Sequence, residues 1–240
     1  MYSFTAAAAT DIGYVRDLNE DSYLVRDGLY LVADGMGGHD GGELASAAVV
    51  DTFRHAWQEH TEPMELDDLK AWLTQANREV YDIAEGRAGT TLTLLTNVWH
   101  QDQAQLVVAN VGDSRTYRYR ANDEAFIQLT QDHSAVAEMV RLGQLTPDEA
   151  RDHPARNVIT RAVGSGLRLL ADVLLLDAEV GDRFLLCTDG LTGEVEDQEI
   201  GLVLASAATV QDASDQLVDL ALETDGSDNV TVVVAEVTEH

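Results

Sequence analysis

Two helical patterns follow one another with no strand between them, and this narrows the fold more than any other feature. From Glu43 to His60, Leu44, Ala48, Phe53 and Trp57 recur at about helical spacing. From Glu65 to Glu85, Leu66, Leu69, Leu73, Ala76, Val80 and Ile83 form a second stripe. A doubly wound parallel sheet needs strand–helix alternation throughout, so a helix pair argues against it. Another pair, Asp197–Ala208 and Asp212–Glu223, precedes a last strand at Val230–Val237. Upstream, Ser22–Arg26 and Leu29–Ala33 flank Asp27-Gly28 and predict a hairpin whose two turn residues take positive φ. Thr91–Trp99, Gln105–Val111 and Arg115–Arg120 are rich in β-branched and aromatic residues and predict strands, and Arg183–Thr188 predicts a buried one. Strands, helix pair, strands, helix pair: the order predicts an α+β fold with antiparallel sheet.

The chain of 240 residues is long enough for one ordinary domain and needs no disulfide or metal simply to fold. Its prolines, Pro63, Pro147 and Pro154, mark no linker, so residues 1–240 read as a single domain. Asp132–Gly164 differs from the rest. It carries two short helical patterns, Ala135–Leu142 and Pro147–Asp152, the second opened by a Thr146 cap and Pro147, and reads as an insertion over the surface.

The net charge of −28 opposes nucleic-acid phosphates over the whole field of the protein, and no basic stripe relieves it. A single cysteine, Cys187, excludes an intrachain disulfide and fits a reducing compartment. It sits in Phe184-Leu-Leu-Cys187, where an inert buried thiol is expected. Met1–Asp11 has neither the basic start nor the apolar core of a signal peptide, and no apolar run approaches the ~20 residues of a membrane helix. A cytoplasmic protein is expected.

Acidic residues recur beside glycine at predicted strand ends. Asp34-Gly35 closes the hairpin strand, Gly112-Asp113 follows Leu106–Val111, Asp189-Gly190 follows Arg183–Thr188, and Asp228 stands just before Val230. One Asp-Gly is a turn signal. Four carboxylates at strand ends, if those ends converge, repel one another unless a cation neutralises them. Oxygen ligands of this kind suit Mg2+ or Mn2+. Arg16, four residues before Glu20, is either a phosphate clamp or a surface partner of Asp17 or Glu20. Gly35–Gly42 is not a Walker A loop, since no Gly-Lys-Ser/Thr follows, and reads as a turn into the helix near Glu43.

Together these residues resemble a known family. Thr10-Asp-Ile-Gly, Arg16, Asn19-Glu-Asp21 and Val32-Ala-Asp-Gly-Met-Gly-Gly-His39 are similar to the opening of bacterial metal-dependent protein serine/threonine phosphatases, the PPM or protein phosphatase 2C family. The likeness continues through Gly89-Thr-Thr91, Ala109-Asn-Val-Gly-Asp-Ser-Arg115, Leu129-Thr-Gln-Asp-His-Ser134, His153–Arg161, Leu186-Cys-Thr-Asp-Gly-Leu191 and Gly226-Ser-Asp-Asn-Val-Thr231, in the family's order over nearly the whole chain.

The resemblance implies a four-layer sandwich, with two antiparallel β-sheets packed face to face and flanked by antiparallel helix pairs. It implies a flap at about 132–164. It further implies two or three Mn2+ or Mg2+ ions: Asp34 bridging two, the Gly35 carbonyl on one, Asp189 and Asp228 on the first, Glu20 on the second partly through water, and Asp113 with Asp189 on a third. Arg16 would bind the substrate phosphate while a metal-activated water displaces the serine or threonine oxygen. Met36 stands directly after Asp34-Gly35, where many eukaryotic relatives carry the histidine proposed as general acid. That role falls to His39, His153 or a metal-bound water. The implied partners are phosphoproteins, substrates of a bacterial serine/threonine kinase; a monomer with no nucleic acid and no membrane is expected. The competing reading is a catalytically silent regulatory module of the same fold.

Overall fold

A computed structural model describes residues 1–37, 41–61 and 63–239. In chain order the elements are β1 (Ser3–Asp11), β2 (Asp21–Arg26), β3 (Leu29–Gly37), α1 (Gly41–Glu59), α2 (Leu66–Ala84), β4 (Ala88–Thr90), β5 (Leu92–His100), β6 (Gln103–Val111), β7 (Arg115–Arg120) and β8 (Ala125–Gln128). They continue with α3 (Ala135–Arg141), α4 (Pro147–Arg151), β9 (Asp172–Leu176), β10 (Arg183–Cys187), α5 (Asp189–Thr192), α6 (Asp197–Ser206), α7 (Val210–Thr224) and β11 (Val230–Thr238). Among these residues the strands form two antiparallel sheets. One is ordered β1-β11-β10-β7-β8, the other β2-β3-β5-β6-β9 with β4 paired to β3.

Alternation along the strands builds the layers. In β3, Leu29, Leu31 and Ala33 point toward α1 and α2, while Tyr30 and Val32 point toward the other sheet. In β11, Val232 and Val234 pack under α6 and α7, while Val233, Ala235 and Val237 face between the sheets. Three apolar cores therefore stack in series: helix pair on sheet, sheet on sheet, sheet on helix pair. This is the expected four-layer sandwich. Each fully buried Leu, Val or Phe contributes about 1.5–3 kcal/mol to it. Among the described residues no helix is long and apolar enough to cross a membrane.

The structure departs from the sequence expectations in several places. Helix α1 buries Ala45, Val49 and Phe53, and Leu44 faces solvent, as does Ile83 of α2. In the Asp27-Gly28 turn only Gly28 takes positive φ, at 81°. Strand β3 does not stop at Asp34; it runs to Gly37 because Gly35 pairs with Thr90 of β4. Asp132–Gly164 holds α3 and α4 as predicted, and it is tied down at both ends. Thr160 N donates to His133 O (2.8 Å), and Thr90 and Val163 exchange backbone hydrogen bonds. Arg151 of α4 is ion-paired to Glu196 ahead of α6.

Candidate active site

Sheet packing brings the predicted acids to one rim. Asp21 opens β2 directly opposite Asp34 of β3. Asp189 opens α5 after β10, Asp228 precedes β11, and Asp113 lies in the turn between β6 and β7. The two sheets meet here: Thr188, at the end of β10, donates through Oγ1 to Asp21 Oδ2 (2.9 Å).

The backbone around Asp34 is fixed from three sides. Its N–H donates to Thr91 Oγ1 (2.9 Å), and its carbonyl accepts from Thr90 Oγ1 (2.8 Å) and Thr91 N (2.8 Å). Gly35 follows because nothing larger fits: a Cβ there would lie 2.1 Å from Gly42 O and 2.6 Å from Glu20 O. Gly35 thus serves close approach rather than turning, contrary to the turn expectation. Gly42 is constrained likewise, since its Cβ would lie 2.8 Å from the backbone carbonyl carbon of Gly35. Glu20 is held over the start of α1, its carbonyl accepting from Ser46 Oγ (2.6 Å) and its N–H donating to Asn229 Oδ1 (2.8 Å).

Arg16 pairs neither with Asp17 nor with Glu20. Its Nη2 lies 2.6 Å from Asp228 Oδ2, with about half the side chain exposed (49%). Asp228, Glu20 and Asp34 together hold the guanidinium in its charged form.

The electrostatics are those of an uncompensated acidic cluster. Burial pushes Asp113 up to about 7, with Asp189 and Asp132 adding to the rise. Burial likewise pushes Asp21 up to about 7, although hydrogen bonds from Thr231 and Thr188 oppose it. Asp34 is raised well above the carboxylate range by burial and by Asp189, Asp21 and Asp113. Asp189 is raised by burial and by Asp228. Protein surrounds these groups, yet Asp21, Asp34 and Asp189 are only partly buried, so solvent reaches the cluster. Cys187 is fully buried nearby with its thiol pushed up to about 12 by burial, which leaves it inert as expected.

Residues 16–223 match the family model described as protein phosphatase 2C. The chain belongs to that family. A serine/threonine phosphatase stp of Listeria innocua is 35% identical over 95% of this chain and 93% of its own. The crystal structure of the Mycobacterium tuberculosis serine/threonine phosphatase PstP/Ppp superposes with a TM-score of 0.90 at 36% identity, covering 99% of this chain and 100% of that one. A PstP catalytic domain in complex with two manganese ions superposes at 0.88 with 34% identity, over all of both chains. This chain is accordingly a protein-serine/threonine phosphatase.

The donor set of this phosphatase fits divalent cations. Asp113 Oδ1 is buried without a hydrogen-bond partner, and an orphaned carboxylate oxygen among other acids is costly unless a cation meets it. All the donors are oxygens, the chemistry of Mg2+ and Mn2+. Among the described residues no three His, Cys, Asp or Glu side chains stand arranged to hold a metal ion as they are.

Of the predicted site residues, Arg16, Glu20, Asp34, Gly35, Asp113, Asp189 and Asp228 converge here, and His39 lies outside the described residues. Sequence reasoning leaves Asp21, Thr90, Thr91 and Asn229 without a role. The signal for Asp21 is its place as the second acid of Glu20-Asp21, directly before the strand expected at Ser22–Arg26. His153 stands just past α4, its Nδ1 accepting from Ala155 N (3.1 Å).

Proposed function

We propose that this phosphatase removes phosphate from phosphoserine and phosphothreonine of proteins at a centre of two or three Mn2+ or Mg2+ ions. Asp34, Asp189, Asp228, Glu20, Asp113 and the Gly35 carbonyl hold those ions, and Arg16 holds the substrate phosphate. The observation that carries this reading is the convergence of acids from separate strand ends on one rim, with Arg16 paired to Asp228 beside it. When bound, such ions supply Lewis acidity toward an attacking water and toward the phosphoryl oxygens.

The chain's own residues do the rest. The Asp34 backbone, fixed by Thr90 and Thr91, sets its carboxylate at the centre of the rim. Asp228 engages one Nη of Arg16 and so aims the guanidinium, whose remaining donors suit the fork geometry of phosphate. Charge that develops on the phosphoryl oxygens is offset there by Arg16. The leaving oxygen takes its proton from His39, from His153 through Nε2, or from water. The segment at about 132–164 acts as a flap on a single domain spanning 1–240. The substrates are products of a serine/threonine kinase in the cytoplasm, and the enzyme works as a monomer without nucleic acid or membrane.

Hydrolysis of a phosphothreonine peptide, first in EDTA and then with Mn2+ or Mg2+, tests the reading. Turnover only with metal is expected. No turnover with metal demonstrably bound would return the chain to a silent regulatory module.

A further inference from the structure

The loop between β1 and β2 combines a rigid backbone with a set of apolar side chains in water. Gly13 N donates to Asp11 Oδ1 (2.8 Å) and Tyr14 N donates to Gly226 O (2.8 Å). Asn229 Nδ2 donates to the carbonyls of Ile12 (2.9 Å) and Leu18 (3.0 Å). Gly13 takes φ 74°, and a Cβ there would lie 2.4 Å from Asp228 O. All of these restraints are polar or backbone contacts, and none of them uses an apolar side chain.

Yet Ile12, Tyr14, Val15 and Leu18 all face solvent, Tyr14 with 71% and Val15 with 67% of its surface exposed. The Tyr14 ring lies against Gly226, where an added Cβ would come 2.8 Å from Cδ2, yet it keeps most of its surface in water, and none of the four side chains belongs to an apolar core. Scattered exposed apolar residues need no explanation, but a group of them on a rigid support marks an interaction surface. Arg16 projects from among them. The two or three residues flanking a phosphosite in an extended substrate sweep about 7–10 Å from it, the scale of this loop. The surroundings add a sign. Asp17 in the loop and Asp225 beside Gly226 are exposed acids, and they disfavour a segment with acidic neighbours.

We propose that Tyr14 and Val15, with Ile12 and Leu18 beside them, form a docking ledge for apolar residues flanking the phosphoserine or phosphothreonine of a protein substrate. The loop thereby determines specificity, selecting phosphosites with apolar neighbours. This rests on the phosphatase reading above and on Arg16 as its phosphate ligand. Because the backbone is already ordered, docking orders only the substrate and the ledge side chains.

The test compares two phosphothreonine peptides with Mn2+ present, one with Leu and Val on both flanks of the phosphothreonine and one with Ser in those places. Wild type is expected to favour the apolar peptide about tenfold in kcat/KM. Tyr14→Ser combined with Val15→Ser should collapse that preference to about twofold or less by raising KM for the apolar peptide alone. Val15→Thr, which keeps the shape of the side chain, should move the preference in the same direction and guards against a folding artefact. Equal use of both peptides by wild type, or a preference that survives the substitutions, overturns the proposal while leaving the phosphatase reading intact. No turnover of either peptide overturns both.

Discussion

Arg16 Nη2 meets Asp228 Oδ2 at 2.6 Å across 212 residues of sequence. Both side chains are partly exposed, so the pair contributes little to stability. Its value is positional: it ties the β1–β2 loop to the loop ahead of β11 and holds a guanidinium beside the acidic cluster. Arg16→Ala should raise KM for a phosphothreonine peptide about tenfold and shift the half-saturating Mn2+ concentration far less. Arg16→Lys should recover only part of the loss, because an ammonium cannot make the bidentate contact. An unchanged KM for Arg16→Ala would reduce the pair to a surface tether.

Asp189 carries two opposed consequences. Its ionisation is disfavoured by burial and by Asp228, so Asp189→Asn removes a repulsive charge while preserving shape. The metal-free variant should melt at a higher temperature than metal-free wild type. Its turnover with limiting Mn2+ should fall at least about 100-fold, since a charged oxygen donor is gone. Stability up and activity down in one substitution is what a strained functional carboxylate predicts. Near-normal turnover under limiting Mn2+ would remove Asp189 from the site.

The elements that sequence reasoning finds and misses differ in how their strand or helix character arises. Core strands β5, β6, β7 and β10 are legible because burial selects β-branched and aromatic side chains. Strand β1 is not: its centre is Ala6–Ala9, poor in β propensity, and it is a strand because it pairs along its length with β11. Strands β8 and β9 are sheet edges with exposed residues and lack a clean alternation. At the site, recurring acids beside glycine announce a carboxylate cluster. The role of Asp21 does not follow from that pattern, because it depends on register opposite Asp34 and on Thr188 arriving from the other sheet.

The metal-free site should make stability depend on pH. Asp21 and Asp113 stand at about 7 in the folded chain, burial being the main cause, against about 3.9 when unfolded. A raised folded pKa stabilises the protonated form. That contribution is fully present below about pH 4 and is lost as pH rises through 7. In EDTA the melting temperature should therefore fall between pH 5.5 and 8, and Asp113→Asn should flatten part of the fall. Mn2+ bound at Asp113 must displace its proton, so the Mn2+-induced rise in melting temperature should be larger at pH 8 than at pH 5.5. Equal rises at both pH values, with Asp113→Asn indistinguishable from wild type, would contradict the assignment.

Asn229 is the buried hub beneath the rim. Its Oδ1 accepts from Glu20 N (2.8 Å), and its Nδ2 serves the carbonyls of Ile12 (2.9 Å) and Leu18 (3.0 Å). Asn229→Ala leaves those backbone groups without partners in partly buried surroundings, at a cost of about 1–2 kcal/mol. In a chain of this size that corresponds to a drop of roughly 2–8 °C in melting temperature. Because the same bonds hold the loops that carry Arg16 and Glu20, KM for a phosphopeptide and the Mn2+ requirement should both rise. Asn229→Asp keeps the acceptor for Glu20 N but not the donors, so it should spare Mn2+ affinity more than KM. A melt within 1 °C of wild type and unaltered kinetics for Asn229→Ala would show that the loops hold their shape without it.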